Sequence, residues 1–248
     1  NAFAVLDPKR SDCDYPFKEL CGCGVGFKLM QAYLKIQGLD ETIAFEYLDL
    51  VALAIGADIV PIVGENRVLA YYGLKLLNEN PRIGMQALMR EHKRVGAMTI
   101  TDVVFTIAPR INAAGRMRHA HNAVSLLIED NEAQAVKTAN EIEGFNTDRR
   151  AEDQRIAKEA LAQIIALKEE ERSSTVVYHP EWHKGVIGIV ASRLIESFYR
   201  PTVVFTKSNG HLAASVRSVK GFDVYEALEA CKEHIDQFGG HMYAAGLT

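Results

Sequence analysis

The sequence has 248 residues, of which 48% are hydrophobic and 24% are charged, and its formal net charge is −4. This composition excludes a disordered or fibrous chain, and the length allows two compact domains. No apolar run approaches the roughly 18 residues that a membrane-spanning helix needs, so we predict a cytoplasmic protein without a membrane partner. The negative net charge gives no basic signature of nucleic-acid binding.

The first half of the sequence is predominantly helical in pattern. A strand is predicted over 2–6, and a small-residue loop over 21–26 leads into the first helix. Helices are predicted over 27–36, 41–57 and 67–78, with two short helical pieces within 83–107. Because the chain opens without Met, we expect a segment of a longer protein.

The second half alternates between helical and strand patterns. Residues 131–172 are rich in Ala, Glu, Lys and Arg, which predicts a long exposed helix connecting two domains, with a possible interruption at Gly144. After it, strands are predicted over 175–178, 202–205 and 211–218, helices over 187–198 and 224–234, and a loop over 239–248. A strand, helix and strand in succession indicate an α/β fold.

Four cysteines, at 13, 21, 23 and 231, include only one Cys-x-Cys pair. A structural zinc site needs two close-spaced ligand pairs, so free thiols are the favoured interpretation.

Two groups in the first half are candidates for a functional site. Asp58 follows an apolar helix, where a buried carboxylate would need a metal or a cation, whereas an exposed one would cap the next turn; local spacing slightly favours the cap. Arg110, Asn112 and Arg116 lie among small residues in a segment without clear periodicity, which indicates either an anion-binding loop or surface arginines.

The second half offers further phosphate-binding candidates. His183 lies between a strand and a helix, where α/β folds place ligands, although a single loop histidine is usually a surface residue. Ser215 and Arg217 share one face of a strand, followed by Ser218, and both alternatives, a phosphate site and a polar strand face, remain open.

The string Gly239-Gly240-His241 combines two glycines, which allow close backbone approach, with a histidine that donates to an oxyanion or leaving group. By itself this short motif is weak.

Several strings together resemble the RecJ exonucleases of the DHH phosphoesterase family. They occur in order along nearly the whole chain: 15–20, 57–61 with 65–67, 109–116, 182–193, 200–201, 217–222 and 239–246. The Asp-His-His triplet that names the family is absent from the chain, Asp7 stands where an Asn-Pro pair is expected, and Ala214 replaces a more usual glycine.

The resemblance implies two α/β domains joined by a long helix, with an active-site cleft between them. It implies the end of a DHH domain over 1–130, a connector over 131–172 and a DHH-associated substrate domain over 173–248. Asp58 corresponds to a metal ligand and a catalytic residue, and His241 corresponds to a catalytic residue. The implied phosphate-binding residues are Arg110, Asn112, Arg116, His183, Ser215, Arg217, Ser218, Gly239 and Gly240.

The implied activity is hydrolysis of single-stranded DNA from its 5′ end by two Mn²⁺ or Mg²⁺ ions, in repair and recombination, with a helicase and a single-strand-binding protein as partners. Most metal ligands are expected upstream of Asn1, so the segment is expected to be inactive or weak by itself. The alternatives are another DHH phosphodiesterase, acting on short oligonucleotides or cyclic dinucleotides, and a non-catalytic single-strand-binding relative.

Overall fold

A computed structural model describes residues 3–90 and 96–248 of the chain. These residues form two compact units, 1–146 and 147–248, called here the N-terminal and the C-terminal unit. The division falls inside a long helix. Within the described ranges, no helix has both the length and the apolar content to cross a membrane.

All regular secondary structure among the described residues of the N-terminal unit is helical. Its helices are α1 (Gly22–Ile36), α2 (Leu48–Ala57), α3 (Gly64–Glu79), α4 (Ile83–Arg90), α5 (Ile100–Asp102), α6 (Ala108–Met117) and α7 (His121–Leu127). A 3₁₀-helix, Glu41–Tyr47, precedes α2, and a π-helical turn, Val103–Ile107, joins α5 to α6.

Two predictions for this unit are wrong. Residues 3–6 of the predicted first strand are irregular and exposed, because no strand among the described residues pairs with them, and residues 1 and 2 lie outside the described residues. The predicted small-residue loop is the beginning of α1, where the Sγ of Cys21 accepts a hydrogen bond from the backbone N–H of Gly24. Part of the helical prediction within 83–107 falls on 91–95, outside the described residues.

Helices α2 and α3 pack closely against each other at a glycine. A Cβ on Gly73 of α3 would lie 2.1 Å from the carbonyl oxygen of Leu48, so only glycine permits this approach. The apolar side chains of α2 that gave the sequence its continuous hydrophobic run, including Val51, Leu53 and Ile55, are buried.

The long helix α8 (Glu132–Ala166) continues without interruption through Gly144. It ends six residues before the predicted position, because Lys168 has a left-handed backbone (φ 55°) that no α-helix accommodates. The guanidinium of the buried Arg200 then holds the turn that follows, donating to the carbonyl oxygens of Glu169, Glu170 and Arg172.

The C-terminal unit contains a five-stranded sheet. Its strands are β1 (Thr175–Tyr178), β2 (Thr202–Ser208), β3 (His211–Arg217), β4 (Phe238–His241) and β5 (Ala244–Leu247), in the order β1-β2-β3-β5-β4. Strands β1 and β2 are parallel and are connected through α9 (Ile187–Ser197), whereas the other pairs are antiparallel. Helix α10 (Val224–Ala230) lies between β3 and β4 in sequence, and a 3₁₀ turn covers 232–234.

The predicted loop over 239–248 is wrong, because these residues form most of the β4–β5 hairpin. Gly and Ala dominate the hairpin and have low strand propensity, so their pairing with β3 comes from tertiary structure. The α/β class is confirmed, with the described strands all in the C-terminal unit.

The two faces of the sheet differ in what covers them. On one face, Val204 and Ala213 are buried where α9 packs against β2 and β3. On the other, Val216 and Ala245 pack with Val224 of α10. Helix α9 therefore covers only part of its face, beside the exposed hairpin.

Candidate phosphate-binding site

Strand register aligns two of the predicted site residues, Arg217 and His241, in one row on one face of the C-terminal sheet. Arg217 pairs with Ala244, and Ala244 pairs with His241. Because directly opposed residues in antiparallel strands project to the same face, Arg217 and His241 flank a small residue two strand spacings, about 10 Å, apart. The row contains a cation, a methyl group and an imidazole.

The adjacent row on the same face has almost no side chains. Ser215 pairs with Gly246, which pairs with Gly239. Ser215 and Arg217 lie two residues apart on β3, so the prediction that they share a face is confirmed by the hydrogen bond from Arg217 Nη1 to Ser215 Oγ, 3.1 Å long. The result is a floor of small residues with polar groups on two sides.

The N-terminus of α9 lies directly over Ser215 and Arg217. A Cβ on Gly188, in the first turn of this 11-residue helix, would lie 2.9 Å from Ser215 Oγ and 3.0 Å from Arg217 Nη2. Backbone N–H groups in the first turn of a helix attract anions. Glycine at 188 is thus required for the two polar side chains to lie against that turn.

Hydrogen bonds hold the Arg217 guanidinium in place. Its Nε donates to Ser192 Oγ on α9 at 3.2 Å, and its Nη1 donates to the carbonyl oxygen of Val216 at 2.8 Å. Both of these acceptors are neutral groups, and the two hydrogen bonds fix the orientation of the guanidinium.

His183 and His241 are both oriented through Nδ1. The Nδ1 of His183 accepts from the N–H of Gly185 at 3.1 Å, and the Nδ1 of His241 accepts from the N–H of Tyr243 at 3.3 Å. In the neutral imidazole this arrangement leaves the proton on Nε2. Each ring therefore presents an Nε2–H donor.

The two glycines of β4 have different reasons to be glycine. A Cβ on Gly240 would lie 2.3 Å from the carbonyl oxygen of Ala244, so hairpin packing alone requires glycine there. Gly239 has no atom within 4 Å of its Cβ position, which leaves space above it. Of these two residues, Gly239 is thus the one that adjoins room for a ligand.

Ser218 takes part in a turn. Its hydroxyl donates to the carbonyl oxygen of Phe222 at 2.7 Å, and its N–H donates to that of Tyr243 at 2.9 Å. Its predicted phosphate contact therefore competes with an existing hydrogen bond, and it stays a prediction.

A buried network fixes the segment that leads to α9. Trp182 is 2% exposed; its Nε1 donates to Glu159 Oε2 at 2.7 Å, and its carbonyl oxygen accepts from the Thr206 hydroxyl at 2.6 Å. The hydrogen bond from Trp182 lowers the pKa of Glu159. The network anchors the backbone one residue before His183.

In the N-terminal unit, the predicted anion loop is wrong in its secondary structure. Arg110, Asn112 and Arg116 lie on α6, where Pro109 occupies the first turn, a position that proline tolerates. Asn112 and Arg116 are four residues apart and exposed on one side, while Arg110 is rotated about 200° from Asn112. The helix thus separates Arg110 from the other two.

Arg110 is held by its own unit. Its side chain is 11% exposed, Nε pairs with Glu143 on α8, and Nη1 donates to the carbonyl oxygen of Thr106 at 2.5 Å. A phosphate bound there would have to share the guanidinium with a carboxylate.

Asp58 is the exposed C-cap of α2, with its N–H donating to the carbonyl oxygen of Ala54. The argument from a buried carboxylate therefore does not apply. Burial raises the pKa of the nearby Cys21 thiol, and the charge of Asp58 adds to that increase. Over residues 3–90 and 96–248, no group of three or more His, Cys, Asp or Glu side chains is placed to hold a metal ion, so these residues do not form a metal site by themselves.

Sequence reasoning missed several residues that shape the site. Gly188, Ser192 and Gly246 contact or separate the polar groups on the α9 side of the sheet. A glycine at the strand-to-helix junction was the available signal for Gly188. Ser192 and Gly246 depend on tertiary packing and strand pairing, which local patterns do not encode.

The DHHA1 domain family matches residues 171–248. The single-stranded-DNA-specific exonuclease RecJ of Bacillus subtilis is 38% identical over 99% of this chain and 31% of its own length. RecJ of Escherichia coli is 38% identical over 100% of the chain and 46% of its own length. The chain therefore spans less than half the length of these relatives.

Solved structures agree with the sequence comparison. The crystal structure of RecJ in complex with Mg²⁺ from Thermus thermophilus matches with a TM-score of 0.84 and 33% identity, covering 95% of this chain and 36% of that one. A crystal structure of exonuclease RecJ bound to manganese matches with a TM-score of 0.79 and 33% identity, covering 95% of this chain and 58% of that one. Similarity in both sequence and fold runs along the chain, which resembles this part of the RecJ exonucleases, and residues 171–248 match the DHHA1 domain.

Proposed function

We propose that the chain holds the phosphates of single-stranded DNA for a 5′→3′ exonuclease of the RecJ type. The observation that carries the proposal is the arrangement of Ser215, Arg217 and His241 on one sheet face, around a floor of small residues and beside the first turn of α9. The names of the relatives supply the substrate class.

The donor set suits a phosphodiester. A guanidinium, a hydroxyl and an imidazole Nε2–H can all donate to anionic oxygen beside the positive end of a helix dipole, and none of these groups reads a base edge. Binding would therefore be independent of base sequence and would weaken with salt. Gly239 lies in the floor of this site. His183, Ser218 and Gly240 are proposed to contact phosphate beside it, and the side chains of Arg110, Asn112 and Arg116 on α6 are proposed to contact further phosphates.

Metal dependence is a separate part of the proposal. The structures of relatives with Mg²⁺ or Mn²⁺ support a divalent ion, which would activate water and neutralise phosphate charge. Asp58 would contribute one oxygen ligand. Since the described residues assemble no metal site by themselves, we expect the 248-residue chain to hydrolyse a 5′-phosphorylated oligonucleotide weakly with Mn²⁺. Turnover comparable to that of a full-length relative in the same assay would contradict this expectation.

The lack of a metal-holding cluster among the described residues favours a second candidate, a segment that binds single strands without hydrolysing them. A phosphodiesterase for short oligonucleotides is the third, and rates on long strands against dinucleotides separate it from the first. In the primary proposal the protein works in the cytoplasm, in DNA repair and recombination, beside a helicase and a single-strand-binding protein.

The binding test uses fluorescence anisotropy with a labelled 5′-phosphorylated oligothymidylate. We expect Arg217→Ala to weaken binding about tenfold or more, because a charge-assisted hydrogen bond is lost, and to reduce the slope of log K against log salt by about 0.7. His241→Ala should weaken binding less. The control is Arg155→Ala on α8, an exposed arginine paired with Glu152 and Glu159. Equal losses in Arg155→Ala and Arg217→Ala would refute the site.

A further inference from the structure

Exposed aromatic side chains surround a turn at one end of the C-terminal sheet. Tyr199 is 72% exposed, Phe222 is 44% exposed and Tyr243 is 46% exposed, and Met242 is exposed as well. With Lys220 these residues form what we call the aromatic turn surface. Aromatic rings of this size are usually buried or partnered, so three such exposed rings around one turn require an explanation.

Hydrogen bonds bring the parts of this surface together. The N–H of Lys220 donates to the Tyr199 hydroxyl at 3.3 Å, which joins the end of α9 to the turn over 218–222. The N–H of Ser218 donates to the carbonyl oxygen of Tyr243, and that of Val224 donates to the carbonyl oxygen of Met242. The β4–β5 turn and the 218–222 turn are thus fixed against each other.

The turn carries one positive charge and is open. Lys220 is the only charged residue within 218–222, and it is exposed. Gly221 has φ 94°, a conformation that favours glycine, and a Cβ there would meet no atom within 4 Å. Flat groups can therefore approach the turn without displacing other side chains.

The aromatic turn surface is continuous with the candidate phosphate site. Arg217 immediately precedes Ser218, and His241 immediately precedes Met242, so both chain segments leave the phosphate site and enter this surface. A strand whose phosphate lies between Arg217 and His241 would bring its next nucleotides to the rings.

We propose that the aromatic turn surface stacks unpaired nucleobases of the strand whose phosphate is held by Arg217 and His241, which rests on the proposed function above. Exposed rings beside a cationic phosphate groove are the general means of holding single strands without reading sequence. Paired bases present no free face, so stacking here selects single strands over duplexes.

The test compares two 5′-phosphorylated strands of equal length, an oligothymidylate and an abasic strand with the same sugar-phosphate backbone. The unaltered chain should bind the oligothymidylate about tenfold more tightly or better, because stacking on an aromatic ring is lost with the base. The double substitution Phe222→Ala with Tyr243→Ala should abolish this preference while leaving abasic-strand binding unchanged. Tyr243→Phe should retain it, because the ring remains.

The matched control is Tyr178→Ala, an exposed aromatic residue on β1 at the other edge of the sheet. Emission from Trp182, the single tryptophan, checks folding of each variant. Equal affinity of the unaltered chain for the two strands overturns the stacking proposal. An unchanged preference for the oligothymidylate in the folded double variant overturns it too. So does self-association of the unaltered chain that disappears in the double variant. If the unaltered chain binds neither strand, the proposed function itself fails and the stacking proposal fails with it.

Discussion

Replacing Gly188 with alanine adds one methyl group at the place where α9, Ser215 and Arg217 meet. The new Cβ would lie 2.9 Å from Ser215 Oγ and 3.0 Å from Arg217 Nη2. Two effects on stability oppose each other, since alanine favours a helix over glycine by up to about 1 kcal/mol, whereas the two side-chain ends must move by a few tenths of an ångström. Because both contacts are with side-chain ends rather than backbone, we expect the free energy of unfolding to change by less than about 1 kcal/mol.

Binding should respond much more strongly than stability. Displaced Ser215 and Arg217 no longer meet a phosphate beside the first turn of α9, so oligonucleotide affinity should fall about tenfold or more. The measurements are urea denaturation and anisotropy on the same preparations.

Gly144→Ala is the matched control for this substitution. Gly144 is exposed in the middle of α8, and its Cβ position has no atom within 4 Å. This variant should gain about 1 kcal/mol in stability with unchanged oligonucleotide affinity. Unchanged affinity in folded Gly188→Ala would refute the reasoning, because the phosphate would then not lie beside Ser215 and Arg217.

Three further predictions concern other contacts. Glu143→Ala removes the ionic partner of the largely buried Arg110 and should lower the free energy of unfolding by about 1–3 kcal/mol in urea denaturation. Glu132→Ala, at an exposed ion pair, should change this free energy by less than about 1 kcal/mol. Equal effects of the two substitutions would contradict the prediction. Arg200→Lys should lower the free energy of unfolding by about 2–4 kcal/mol, because an ammonium cannot reach the four oxygen acceptors of the buried guanidinium, and wild-type stability would disprove it. Because the pKa of Glu159 is lowered, the stability that its carboxylate contributes is complete above its ordinary pKa of 4.5 and is lost as pH falls through the lowered value. The acid-induced fall in the urea midpoint should therefore be smaller in Glu159→Gln than in the unaltered chain. An identical fall in both would argue against the contribution.

The sequence predicted the elements whose pattern is local. The β-branched runs at 175–178 and 202–205, with an amphipathic helix between them, indicated the parallel β1–α9–β2 unit because strand and helix periods differ clearly. The β4–β5 hairpin was not predictable in the same way. Its Gly and Ala residues carry no strand signal, and they are strands only because β3 offers a partner edge.

In the candidate site too, features with a local sequence pattern could be predicted and features that depend on strand pairing could not. The two-residue period placed Ser215 and Arg217 on one face, and the hydrogen bond between them agrees. For Arg110 and Arg116 the local pattern misled, because a segment of small residues without clear periodicity indicated a loop, whereas these residues form α6. The part that could not be predicted is the row from Arg217 through Ala244 to His241, which depends on register between strands distant in sequence.

The central claim is that one phosphate group lies between α9, Arg217 and His241. The direct measurement is a backbone amide chemical-shift titration of the chain with a 5′-phosphorylated oligothymidylate, repeated with Arg217→Ala. The account predicts that the largest shifts occur at Gly188, Gly239 and His241, and that they disappear in the variant. Shifts confined to other parts of the C-terminal unit, or shifts at these three residues that persist without Arg217, would contradict it.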